Sequence, residues 1–161
     1  MSIRPGHPLP SGILYRRGEA GLEEVSTASL FSGRTVVMFA VPGAFTPTCS
    51  DEHLPGFIVR ADDLKAAGVD EIVCLAVNDP FVMRAWSRAH EGSGSISFLS
   101  DGNGDWTRAL GLERDMRKAA MGMRSKRYAM IVDDGVLRWI GVDESGLEHS
   151  RAEAVLAALG R

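Results

Sequence analysis

The sequence predicts an α/β domain with a central mixed sheet flanked by helices. Three observations carry that expectation. Two apolar runs rich in β-branched residues, "RTVVMFAV" (Arg34 to Val41) and "EIVCLAV" (Glu71 to Val77), have the unbroken hydrophobicity of strands covered on both faces. Each leads into a helix-start signal, Thr46-Pro47 after the first and Asn78-Asp79-Pro80 after the second. Near the C-terminus, "KRYAMIVDDGVLRWIGVDE" reads as two strands joined by an Asp-Asp-Gly turn.

Taken in order, "GILYRRG" and "GLEEVS" make an opening β-hairpin across a Gly/Ala turn. The strand from Arg34 stops at Pro42-Gly43. Thr46 then serves as N-cap and Pro47 as first helical position, which puts Cys49 third, within the first turn. Pro55-Gly56 is expected to kink or interrupt this helix, which resumes through "FIVRADDLKAAG" and ends at a Gly68 cap. After the strand from Glu71, which contains Cys74, comes a helix through "FVMRAWSRAHEG". "SISFLSD" is a third strand and "GDWTRALGL" a short helix. Beyond the hairpin, Ser150 is expected to cap a final amphipathic helix, "RAEAVLAALG". This succession describes a thioredoxin-like fold, read as one domain over 1–161 with no repeat, low-complexity stretch or linker.

Composition excludes several function classes. A formal net charge of −3 over 161 residues argues against a general polyanion binder, so no nucleic-acid partner is expected. No run approaches the roughly 20 apolar residues of a spanning helix. The N-terminal "MSIRPGHPLPSGILY" has neither a signal-peptide core nor an Arg-rich amphipathic pattern, and two cysteines make no secreted disulfide framework. A cytoplasmic setting is the expectation. His7, His90 and His149 show no metal-ligand spacing with either cysteine. Met38, Met83 and Met130 lie in apolar segments and read as core.

The chemistry concentrates in "VPGAFTPTCS", residues 41–50, where prolines, threonines and a glycine enclose Cys49. A cysteine in a first helical turn faces free N–H groups and the positive end of the helix dipole, which favour thiolate and should lower its pKa below the roughly 8.5 of a free cysteine. Thr46 can direct its hydroxyl toward the sulfur or its target, and Pro42 shields the sulfur and fixes the loop. The plainer reading is a capped helix with a cysteine packed beneath it. His53, four residues on, shares the helix face. As an imidazolium it would favour the thiolate further, although such a histidine is more commonly half-exposed. Arg124, Lys126 and Arg127 form a basic cluster of the kind usual in solvated loops.

Pro42-x-x-x-Thr46-x-x-Cys49, within "PGAFTPTCSDEHLPGF", resembles the active-site motif of the peroxiredoxins, and specifically their atypical type II branch of plant type II and bacterial glutaredoxin-linked members. The resemblance extends through "VNDPFVMRAW" and "RSKRYAMIVDDG". It implies a thiol-dependent peroxidase that reduces hydrogen peroxide and organic hydroperoxides through a Cys49 sulfenic acid, a mechanism that needs no metal or organic cofactor. Arg127 matches the family's active-site arginine, with Arg124 a weaker candidate. Thr46, helix-start N–H groups and Arg127 would stabilise the charge moving across the O–O bond. Cys74 is simplest as a small buried hydrophobe, but in plant relatives a cysteine at the matching position has been implicated in a disulfide, so it is also a candidate resolving cysteine. Bridging would require Cα atoms within about 7 Å and local unwinding around Cys49. Where some relatives carry a resolving cysteine in the stretch matching "SGLEHS", this chain has His149, which favours an external reductant: glutathione with glutaredoxin first, thioredoxin second. The family also implies a homodimer, with the loops around Phe45 and Phe81 as candidate contacts. Two other readings share the fold. One is a thiol–disulfide oxidoreductase, although Thr46 stands where a Cys-x-x-Cys pair would begin. The other is a redox sensor or holdase.

Overall fold

The computed structural model describes residues 3–160; Met1, Ser2 and Arg161, the outermost positions of the expected 1–161 domain, lie outside the described residues. The three parallel strands at its centre are β3 (Thr35–Val41), β4 (Glu71–Ala76) and β5 (Ile96–Ser100). On one side β3 pairs antiparallel with β8 (Arg127–Asp133), which pairs with β9 (Val136–Asp143). On the other, β5 meets the hairpin of β1 (Ile13–Arg17) and β2 (Leu22–Ser26). The result is a seven-stranded mixed sheet in the order β2-β1-β5-β4-β3-β8-β9.

Helices cover both faces because the central strands are apolar on both sides. Odd positions of β3, Val37, Phe39 and Val41, pack with Cys74 and Ala129 under α2 (Leu54–Ala66), α3 (Pro80–Arg88) and α5 (Ala152–Ala158). The even positions Val36, Met38 and Ala40 join Leu14, Trp106 and Tyr128 under α1 (Thr27–Phe31) and α4 (Asp105–Leu110). Met38, Met83 and Met130 are all buried in these two cores, as their apolar settings predicted. None of the helices among the described residues is long and apolar enough to cross a membrane.

The structure adds elements that the sequence pattern did not announce. The five-residue α1 and the ribbon of β6 (Glu113–Asp115) and β7 (Met123–Ser125) are too short and too polar to show a periodicity. Two local expectations are corrected. Pro55-Gly56 does not interrupt the helix; instead a π-helical turn, Cys49–His53, immediately precedes α2. Proline has no N–H to return to the preceding turn, and the widened turn, in which Leu54 N–H bonds back to Cys49 O, absorbs the mismatch. Ser150 does not cap α5. The N-cap position is Arg151, and the Ser150 hydroxyl donates to Asp143 Oδ2 at 2.7 Å instead.

Candidate active site

Parallel strands share one carboxyl-terminal edge, and the crevice beyond that edge is where open α/β sheets gather functional loops. The β3–α2 loop leaves this edge with Pro42 and Gly43 buried. Asn78, at the end of β4, holds it by accepting the Ala44 N–H at 2.9 Å. From the far side, Arg124 donates to Met121 O (2.7 Å) and Pro42 O (3.5 Å). Gly43 lies under this cover: a Cβ there would come within 2.8 Å of Met121 Cε and 3.3 Å of Arg124 Nη1, so those side-chain ends would have to shift. Phe45 takes a left-handed φ of 65°, a strained conformation for an aromatic residue, and leaves its side chain exposed.

Pro47 opens the helix and Ser50 N–H makes the first turn to Thr46 O at 2.8 Å, so Cys49 takes the third helical position, as its spacing from Thr46-Pro47 predicts. The Thr46 hydroxyl, however, donates to Gly43 O at 2.6 Å rather than toward the sulfur. Cys49 itself is fully buried.

Antiparallel pairing of β8 with β3 brings the start of β8 to the same edge. Arg127, the first residue of β8, is therefore no solvated loop side chain: it is buried, with Nη2 donating to Cys49 Sγ at 3.2 Å and Nη1 to His53 Nδ1 at 3.0 Å. Among the described residues no carboxylate forms a salt bridge to it. The polar groups that this buried guanidinium touches are thus the Cys49 sulfur and the His53 ring.

His53 departs from the sequence reading. It is neither half-exposed nor an imidazolium; burial first, and the Arg127 charge second, push its pKa from 6.5 to about 3. Its ring packs against the stacked pair Phe39–Phe57, at centroid distances of 5.1 and 5.6 Å. Because Nδ1 accepts from Arg127, Nε2 carries the proton and donates to Ser150 O at 2.9 Å. Ser150 is held in turn by Asp143, the last residue of β9. Burial pushes the Asp143 carboxyl up, but N–H groups of His149, Glu148 and Ser150 and the Ser150 hydroxyl bind it and hold its pKa below the usual carboxylate range. Gly141 lets this loop lie close, since a Cβ there would overlap the His149 carbonyl. Motif reading singled out Cys49, Arg127 and His53 but not the links Asp143–Ser150–His53–Arg127 that hold them together. Only the pairing of a buried-strand end with a polar, turn-rich segment could have hinted at those links.

Cys74 sits mid-strand in β4, flanked across the ladders by Phe39 and Phe98. It is reduced and fully buried, in the same core cluster as Cys49. Burial pushes its thiol well up, and a charge on Cys49 pushes it further. His7 and His149 are exposed, while His90 is half-buried against Ser50.

Comparison with known proteins converges on one group. The family described as Redoxin matches residues 4–156. Peroxiredoxin-2C of Oryza sativa subsp. japonica is 47% identical, covering 98% of both chains. Peroxiredoxin-2B of Arabidopsis thaliana is 46% identical over the same shares. Reduced Prx3 from Vibrio vulnificus, solved in complex with hydrogen peroxide, superposes with a TM-score of 0.93 at 49% identity, covering 98% of this chain and 99% of that one. The oxidized form of that protein gives a TM-score of 0.89 at the same identity, covering 97% of this chain and 99% of that one.

Proposed function

Because the chain belongs to the type II peroxiredoxins and is a thiol-dependent peroxidase acting on peroxides, we propose that Cys49 is the residue that attacks the peroxide. The observation that carries this reading is the buried Arg127 guanidinium 3.2 Å from the Cys49 sulfur. A fixed cation at that distance stabilises a thiolate and, as the reaction proceeds, the charge that passes to the oxygens. The thiolate attacks one oxygen of ROOH. The S–O bond forms as O–O breaks, Cys49 becomes S–OH, and RO⁻ leaves to take a proton as ROH. Thr46 and Pro42 line the approach. In the resting structure the Thr46 hydroxyl serves Gly43 O. A torsion about its side chain would turn the same O–H to a bound peroxide, while Pro42 keeps the loop dry and fixed.

The sulfenic acid is then reduced from outside. A thiol RSH condenses with Cys49–SOH to give Cys49–S–SR and water, and a second thiol releases Cys49 as the mixed disulfide exchanges. Cys74 takes no part in this reading. Its thiol is pushed up by burial and it lies in a central strand between two aromatic residues. Glutathione with glutaredoxin is the proposed reductant, ahead of thioredoxin, in a cytoplasmic setting. We also propose a homodimer that covers Phe45 and Phe81. Both side chains are more than half exposed, and the Phe45 ring lies 6.5 Å from Trp86 in α3, the helix that carries Phe81.

The test is a single turnover. Reduced protein is mixed with one equivalent of hydrogen peroxide, quenched within seconds in a sulfenic-acid trap and mapped by peptide mass. An adduct on Cys49 with Cys74 untouched is the expected result. A Cys49–Cys74 disulfide within one chain would make Cys74 resolving. Two free thiols would overturn the assignment of Cys49.

A further inference from the structure

Ser50, the neighbour of Cys49, has a carbonyl that the helix cannot satisfy. In an α-helix its donor would be Leu54 N–H, but that group bonds to Cys49 O in the widened turn. In π-helical register its donor would be residue 55, and Pro55 has no N–H. Ser50 O is thus left without a main-chain partner beside a buried sulfur. Two side chains at the C-terminal end of α3 reach Ser50, one at its carbonyl and one at its hydroxyl. His90, just beyond the end of α3, brings Nε2 to 3.1 Å from Ser50 O, and Trp86 Nε1 donates to Ser50 Oγ at 2.8 Å. The other His90 nitrogen lies 3.2 Å from Trp86 O, which already accepts from Ala89 N–H. Of the two carbonyls facing the ring, Ser50 O is the one without another donor, so the Nε2 proton belongs there.

We infer that His90 is a positioning residue, the latch of the Cys49 turn: its Nε2–H replaces the donor that Pro55 removes, and so sets how readily the turn opens. The opening matters because Cys49 is fully buried. A small peroxide can enter a closed pocket, but a thiol reductant the size of glutathione cannot bring its sulfur to a wholly covered one. The turn must loosen between the two half-reactions, and the bonds from α3 to Ser50 are what it must release. This consequence for catalysis rests on Cys49 being the reacting cysteine; the latch itself does not.

The experiment is hydrogen exchange of the reduced full-length protein, followed by mass spectrometry of peptides spanning 48–54, and needs no turnover. His90→Phe should speed exchange in that segment about tenfold, the effect of leaving one part-buried acceptor unpaired, while peptides from β3, β4 and the middle of α2 exchange as in the wild type. His90→Gln, which returns an amide donor, should recover most of the protection. Pro55→Ala supplies a main-chain N–H at residue 55, and in that background His90→Phe should cost much less. Unchanged exchange over 48–54 in His90→Phe overturns the latch, as does acceleration spread evenly over the sheet. If His90→Phe does not fold, the Pro55→Ala background decides: recovery of a folded protein there supports the latch, and failure there refutes it. The catalytic consequence is read separately, as faster reduction of peroxide-treated His90→Phe by glutathione. A wild type that gains no oxygen on Cys49 would defeat the functional reading and leave the exchange result standing.

Discussion

The two cysteines differ in almost nothing that burial can measure. Both are fully covered and both belong to the core beneath α2 and α3. Cys74 is fixed in the middle of a parallel ladder, with aromatic neighbours on either strand and, among the described residues, no side-chain hydrogen bond to its sulfur. Cys49 lies in a π-helical turn at the edge of the sheet, with a guanidinium at 3.2 Å and two side chains from the C-terminal end of α3 holding its neighbour Ser50. The reactivity proposed for Cys49 therefore rests on what faces its sulfur and on how its backbone is held. Exposure does not distinguish the pair.

That contrast can be broken most directly at the sulfur. Cys49→Ser should lower peroxidase activity by at least about a thousandfold in a coupled assay, as loss of a nucleophile does. A variant retaining a tenth of wild-type activity would mean that Cys74 can substitute for it. Next in size is Arg127→Gln, which keeps a donor but removes the cation. The second-order rate constant with hydrogen peroxide, followed by stopped-flow fluorescence, should fall by about a hundredfold or more.

Acid tests the support behind Arg127. The unfolded chain binds a proton at His53 near pH 6.5, and the folded chain refuses it until about 3. The stability tied to neutral His53 is thus complete above pH 6.5 and lost progressively as pH falls toward 3, up to roughly 5 kcal/mol. Asp143, held below its ordinary range, adds a loss of the same sign below about pH 4. Urea melts between pH 7 and 4 should show the decline, and His53→Leu should flatten it. Asp143→Asn removes the charge that gathers the loop before α5, and a loss of about 2 to 3 kcal/mol is expected in the same melts. Least affected should be Cys74→Ala, with activity within about twofold of wild type and stability lower by about 1 kcal/mol. A large loss of thiol-dependent turnover in that variant would sharpen the comparison in the opposite direction, by giving Cys74 a chemical part.

Much of this was legible in the chain because the relevant forces are local. Asp79 caps α3, its carboxylate accepting Val82 N–H at 2.9 Å, and Pro80 follows in the first turn, as the dipeptide predicts. Asp134-Gly135 turns β8 into β9 with both residues at positive φ, the geometry a two-residue hairpin demands. Cys49 stands at the third helical position for the same kind of reason. What failed was where one local preference met another. Ser150 is a good capping residue, yet the buried Asp143 carboxylate competes for its hydroxyl and wins. Thr46 sits well placed to face the sulfur, yet a nearer carbonyl takes its proton.

The sequence by itself determined the seven strands of the main sheet, the helix starts at Pro47 and Pro80 and the position of Cys49 in its turn, since each depends on side chains a few residues apart. It also carried the family resemblance. Only the tertiary structure decided that Arg127 meets Cys49 across 78 positions of chain, that His53 is neutral, and that Ser50 is held by α3. The reason is the same in each case. Those facts depend on the antiparallel addition of β8 to β3 and on burial between layers, and neither leaves a periodicity or a spacing in the linear chain.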